Sequence, residues 1–271
     1  MIKELYKKYV SEKNILIYQM GKVGSSSLTE SLKELNILGL NIHSFFMPIP
    51  NSLFKKYKSI KYYWPKTKLL FYCCFFRMQF YLLKQRKKLK IITLTREPIS
   101  RNISFYFQDF QIPIMEVMKD NPESSKNGNI KLLFKDFFQN FNHCHGVNWF
   151  DKEFKRAFNI NVYKYPFDKD KGYTIIKERN LEILVIKVEK LNELEAVVGE
   201  FIGRPEFRLI NENEGYKKWY SCLQNNFVNS IEFSEEYVES LYDTKYMHHF
   251  YTDTEIARFR KKYLTGEKIS K

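Results

Sequence analysis

The residues of this chain best suited to chemistry lie at 21–27, Gly-Lys-Val-Gly-Ser-Ser-Ser. Gly21 and Gly24 give the backbone freedom of a tight turn, Lys22 brings a mobile cation, and Ser25, Ser26 and Ser27 bring hydroxyls. Ile15, Leu16, Ile17 and Tyr18 form an apolar run before the turn, and Leu28, Leu32 and Leu35 recur after it at helical spacing. The reading is strand, turn, helix. A helix start leaves backbone N–H groups without intrahelical acceptors and carries the positive end of the dipole. Gly21, Lys22, Val23, Gly24 and the serines therefore form a candidate phosphate cradle. A serine-capped helix behind a strand would use the same residues, so a second motif is needed to decide.

That motif lies at 95–106, Thr-Arg-Glu-Pro-Ile-Ser-Arg-Asn-Ile-Ser-Phe-Tyr. Residues 89–95, L-K-I-I-T-L-T, read as a buried strand, and Pro98 suits the first turn of a helix running through Ile99, Ile103 and Phe107. Arg96 at the strand end and Ser104 on the helix can converge on a phosphate, since a planar guanidinium matches its oxygens bidentately and a hydroxyl adds a bond. A nucleoside triphosphatase would offer an acidic residue near a strand end for magnesium, and this strand ends in arginine. The Walker A spacing G-x-x-x-x-G-K-[ST] is also missing, because Lys22 precedes the second glycine.

A transfer reaction at such a cradle needs a base. Residues 36–43, N-I-L-G-L-N-I-H, read as a second strand, which puts His43 at the sheet edge where open α/β folds bind ligands. A lone histidine is more often structural, yet this one is the first choice for a base, with Glu153 and His145 as rivals. His143, Cys144 and His145 stand too close together for the usual zinc ligand spacings, and no metal is expected.

The elements that must position these groups follow in order. Residues 51–88 read as mainly helical with a break at Pro65, 121–129 as a polar loop, and the Phe-rich stretch to 141 as a helix. Residues 172–188 read as two strands joined around Arg179 and Asn180, the second of them the more buried and a candidate fourth strand. Helices are expected over 189–201, 213–231, 234–242 with Ser234 as cap, and 252–264. With 271 residues, 44% of them apolar and 17% aromatic, the chain can bury a full core as a single α/β domain over 1–271.

A net charge of +14, from 45 basic and 31 acidic residues, points to anionic partners such as a nucleotide, an acidic glycan or a membrane surface, and no nucleic-acid motif accompanies it. Residues 69–83 are the most apolar stretch, but Arg77 and Gln79 interrupt it and it is too short to span a bilayer. It reads as a buried helix or, alternatively, as one lying on a membrane with Lys84, Arg86, Lys87 and Lys88 at its end. Cys73, Cys74, Cys144 and Cys222 show no paired spacing and read as reduced, buried thiols. The N-terminus lacks a signal-peptide pattern, so the expected location is cytoplasmic, including the inner face of the membrane.

The 21–27 segment resembles the 5'-phosphosulfate loop of sulfotransferases that use 3'-phosphoadenosine 5'-phosphosulfate, and the segment from Arg96 to Ser104 resembles their 3'-phosphate motif. Three further segments, Lys-Lys-Trp-Tyr-Ser at 217–221, Trp-Phe-Asp-Lys-Glu at 149–153 and the stretch 248–256, resemble a bacterial capsular polysaccharide synthesis family with a K-W-Y-S hallmark. These resemblances imply a P-loop NTPase-like sulfotransferase fold, with a mostly parallel sheet of four or five strands flanked by helices and a helical C-terminal cap. They imply sulfuryl transfer to a hydroxyl of a capsular or surface glycan, or of a lipid-linked precursor, without a metal. Lys22 would neutralise the leaving phosphate, the serines would hold the 5'-phosphate, Arg96 and Ser104 the 3'-phosphate, and Lys217 and Lys218 would close on the nucleotide. A P-loop kinase and a non-catalytic nucleotide-binding protein of a capsule assembly complex are the alternatives.

Overall fold

Short apolar runs bounded by turn residues become strands in the computed structural model, which describes residues 2–46, 66–109, 128–210 and 220–265. They are β1 (Ile15–Tyr18), β2 (Gly39–Ile42), β3 (Leu89–Thr95), β4 (Tyr173–Glu178) and β5 (Leu181–Lys187). One five-stranded sheet results, in the order β2-β1-β3-β5-β4. Its first four strands are parallel and β4 is antiparallel to β5. Every residue of β1 is buried, and so is all of β3 except Lys90, as expected for a parallel sheet covered on both faces. The fold class expected from the sequence is therefore observed in its coarse form, α/β with a mostly parallel sheet flanked by helices.

The helices are α1 (Ile2–Val10), α2 (Ser25–Glu34), α3 (Lys66–Lys84), α4 (Pro98–Asp109), α5 (Gly128–Asn140), α6 (Lys155–Phe158), α7 (Glu195–Ile202), α8 (Ser221–Ser230), α9 (Glu235–Tyr242), α10 (Lys245–Phe250) and α11 (Asp253–Thr265). The C-terminal helices start on side-chain caps. Ser234 accepts from Tyr237 N at 3.2 Å, and Thr252 and Glu255 form a reciprocal capping box, each side chain accepting the other's backbone N–H, at 3.2 and 2.9 Å. Helix α10, capped by Thr244, was not expected from the sequence.

Four expectations change. The second strand is shorter than 36–43, because Asn36 takes φ 57 to close the end of α2 and the strand starts at Gly39. Cys74, Cys144 and Cys222 are exposed free thiols rather than buried ones. Over residues 74–84, helix α3 is buried on one face only, with Leu83 inside and Tyr81 65% exposed. Arg86 is not a surface charge at its end: it is buried, and its guanidinium donates to the carbonyls of Tyr9 and Asn14, each at 2.7 Å. Among the described residues no helix is long and apolar enough to cross a membrane.

Candidate functional site

Strands β1 and β3 are neighbours, so the turn after β1 and the start of α4 after β3 meet at one edge of the sheet. In that turn Gly21, Lys22 and Gly24 all have positive φ, at 83, 62 and 79°. Gly24 caps α2 without contributing a side-chain acceptor, and a Cβ there would come within 2.9 Å of Val188 Cγ2. The glycine is thus required both for its φ and for the close approach of the segment after β5.

Two arginines fix the direction of this turn. Arg101, fully buried on α4, donates to Met20 O at 2.6 Å and to Gly21 O at 3.3 Å, while Arg96 donates to Lys22 O at 2.8 Å. Three successive carbonyls are drawn toward α4. No peptide bond here is cis, and in a planar trans peptide the N–H points opposite to the C=O. The N–H groups of Gly21, Lys22 and Val23 therefore face away from the guanidinium groups, a concave run of amides of the kind that binds anions. Gly21 N–H is taken by Gln19 Oε1. Ser25 is buried, Ser26 exposed, and Ser27 buried in the first turn of α2.

Among the described residues Arg96 uses two of its five N–H groups, on Lys22 O and on Ser100 Oγ at 3.2 Å. Ser100 is the hydroxyl beside this guanidinium, with the half-buried Ser104 one turn further along the same helix face. The start of α4 is filled by the chain's own carboxylate. Glu97 accepts from Ile99 N at 2.6 Å, Ser100 N at 2.8 Å, Tyr242 OH at 2.7 Å and Tyr263 OH at 2.9 Å. Glu189, following β5, accepts from Glu97 N at 2.8 Å and from Tyr251 OH, and burial raises its pKa. Tyr246 OH clamps the backbone of Arg96, accepting from its N at 2.9 Å and donating to its O at 3.0 Å. The C-terminal helices are thereby tied by phenol groups to the strand ends.

On the other side of the cradle Gln19, fully buried, joins it to β2. Its Nε2 lies 2.9 Å from Ser25 Oγ, 3.0 Å from Asn41 Oδ1 and 2.8 Å from His43 Nδ1. Gly21 N–H can be accepted only by Oε1, which turns the amide NH2 toward His43. His43 Nδ1 lies 2.8 Å from this NH2 and 3.3 Å from Gln19 O, and accepts from the amide when the ring proton sits on Nε2.

Next to His43, Ser44 Oγ donates to Glu153 Oε2 at 3.0 Å, and Tyr18 OH donates to the same oxygen at 3.2 Å. Both protein donors fall on Oε2, leaving Oε1 without a donor among the described residues. Glu153 stands on a π-helical turn, Phe150–Phe154, in which Lys155 N reaches Phe150 O. Such turns recur at functional sites. Desolvation raises the Glu153 pKa, opposed by the hydrogen bonds from Ser44 and Tyr18 and by Arg156. The His145 ring lies tilted beside Phe105, and its pKa is lowered to about 4 by desolvation and by Arg101, Lys152 and His43. The structure thus gathers His43, Glu153 and His145 around the mouth of the cradle.

His143 is occupied elsewhere, its ring nitrogens contacting Tyr237 OH and Phe137 O at 2.8 Å each. Among the described residues no group of three or more His, Cys, Asp or Glu could hold a metal ion. Lys217, Lys218 and Trp219 lie outside the described residues, whereas Tyr220 is buried and stacks on Phe107. Gln19, Asn41, Glu97 and Arg101 were not singled out from the sequence. A polar residue directly after a buried strand, at Gln19, was the available signal.

The fold and this edge define an α/β protein with a candidate anion cradle at parallel strand ends. Residues 123–252, just under half of the chain, match a family model described as "putative capsular polysaccharide synthesis protein", which supports the likeness to that family. The matched span contains Glu153, Glu189, Tyr242 and the K-W-Y-S tetrapeptide and leaves out the cradle and Arg96. No curated protein and no solved structure matches the chain.

Proposed function

We propose that the protein transfers a sulfuryl group from 3'-phosphoadenosine 5'-phosphosulfate to a hydroxyl of a bacterial surface glycan or its lipid-linked precursor. The observation that carries this is the paired use of arginine at the sheet edge. Arg96 and Arg101 hold the carbonyls of the turn away so that its amides form an anion cradle, and Arg96 keeps N–H groups for a second phosphate. A cofactor with phosphates at both the 5' and 3' positions fits such a pair. The glycan acceptor follows from the capsular polysaccharide likeness.

In this reading the Lys22 and Val23 amides with Ser25, Ser26 and Ser27 hold the 5'-phosphate, and Arg96 with Ser104 holds the 3'-phosphate. Lys22 neutralises charge on the bridging oxygen as the S–O bond breaks. The acceptor O–H gives its proton to a base as its oxygen attacks sulfur, and adenosine 3',5'-bisphosphate leaves. Glu153 suits the base role better than His43, reversing the order in which the sequence ranks them. Its Oε1 has no donor among the described residues and burial raises its proton affinity, whereas His43 Nδ1 already lies 2.8 Å from the Gln19 amide. His43 then acts as a hydrogen-bond donor to the sulfuryl oxygens.

A magnesium-dependent phosphotransferase is the rival. Glu97 and Glu189 do stand at strand ends where a metal carboxylate would be sought, yet both are engaged by backbone N–H groups and tyrosine hydroxyls. Calorimetric titration without magnesium tests the proposal. Adenosine 3',5'-bisphosphate should bind about 10 to 100 times more tightly than adenosine 5'-monophosphate, corresponding to one charge-assisted contact. Equal affinities, or binding that needs magnesium and prefers ATP, would overturn it.

A further inference from the structure

Helix α3 carries a surface that the nucleotide chemistry does not use. Its 19 residues include four cations and no Asp or Glu. Leu83 is fully buried on its inner side and Phe80 packs on Phe45 with ring centroids 5.0 Å apart. Arg77, Met78, Tyr81 and Lys84, three or four positions apart, lie on the outer side, with Met78 41% and Tyr81 65% exposed. Helix α1 adjoins it with Tyr6, Lys7 and Lys8 exposed, and the buried Arg86 ties the two together through Tyr9 O and Asn14 O. Among the described residues no carboxylate pairs with Lys7, Lys8, Arg77 or Lys84.

We propose that this face of α3, with the adjoining end of α1, docks on the surface of an anionic lipid bilayer. The helix lies in the plane of the interface, Met78 and Tyr81 entering the headgroup layer and Arg77 and Lys84 meeting lipid phosphates. Charge selects this occupant. Helix α3 bears cations and no Asp or Glu, so a second copy related by two-fold symmetry would set Arg77 and Lys84 against their own equivalents. The chain's net charge of +14 adds a long-range attraction to the same surface. The inference is independent of sulfuryl transfer.

Flotation with vesicles of phosphatidylglycerol and phosphatidylcholine, compared with pure phosphatidylcholine, tests it on the full chain. Binding should require phosphatidylglycerol and weaken with salt. Arg77→Gln and Lys84→Gln should each reduce partitioning about fivefold at low salt. The double variant Met78→Ser, Tyr81→Ser should reduce it at low and high salt alike, with an unchanged melting temperature because both side chains are exposed. Lys177→Gln on the opposite edge strand β4 serves as control and should bind like wild type. No binding to the anionic vesicles, equal losses in the control, or self-association abolished by the Tyr81 change without lipid binding would each overturn the proposal.

Discussion

Two helices start side by side at the edge of this sheet, and they solve the same electrostatic problem in opposite ways. Helix α2 begins at Gly24, which contributes no capping side chain, behind a turn whose carbonyls are held back by arginines. Helix α4 begins behind Glu97, whose carboxylate accepts two backbone N–H groups and two tyrosine hydroxyls. One end lacks a carboxylate of its own and the other carries one. Under the proposed function, a phosphate near α4 would therefore be gripped by side chains such as Arg96 and Ser104, not by helix amides.

The largest expected effect lies on the filled end. Glu97→Ala leaves two amides, the buried Tyr242 phenol and the half-buried Tyr263 phenol without their acceptor, and should cost about 3 to 5 kcal/mol in urea unfolding. A loss below about 1 kcal/mol would mean that the tyrosine ties do not hold the C-terminal helices. On the receiving end, Lys22→Ala should lower turnover by about 10² to 10³ while weakening bisphosphate binding by less than about tenfold, because the charge it meets develops only in the transition state. Equal losses in both would make Lys22 a simple binding residue.

The two arginine roles separate next. Arg96→Ala should weaken the bisphosphate by about 10 to 100-fold and, since Arg96 also holds Lys22 O, should weaken adenosine 5'-monophosphate several-fold. Ser104→Ala, which touches no turn carbonyl, should weaken the bisphosphate alone, by about fivefold. Identical patterns in the two variants would remove the bracing role from Arg96.

The smallest effect is a pH dependence. Glu153 has a raised pKa in the folded protein, so its ionised form opposes folding: the contribution is favourable below the usual carboxylate pKa and is lost as pH rises through the raised one. The stability of Glu153→Gln relative to wild type should accordingly improve from acidic to neutral pH in paired urea titrations. A difference independent of pH would place Glu153 in an environment like water.

Much of the framework is legible in residue order. The runs that became β1 and β3, the glycines of the turn, Pro98 and the cap Ser234 are local signals, readable because strand length, positive φ and N-cap chemistry are properties of neighbouring residues. The site's supports are not local. Tyr242 and Tyr263 meet Glu97 across 145 and 166 positions, and Trp149 Nε1 reaches His43 O across 106. No periodicity encodes such pairs. Arg86 and Arg101 show the same limit, since buried guanidinium groups that hold backbone carbonyls look in sequence like surface cations.

The π-helical turn at Phe150–Phe154 also sets a rule for tolerated change. It inserts one residue into what would otherwise be regular helix, and Glu153 owes its bearing on Ser44 and Tyr18 to that insertion. Deleting a single residue from the turn would restore regular winding and swing the carboxylate by about 100° around the axis, the angle of one helical step. Composition and charge would hardly change, yet the acid would face a different part of the molecule. Among relatives, a length difference of one residue here would therefore separate chains that keep the carboxylate at the cradle from those that have lost it, even where the glutamate itself is retained.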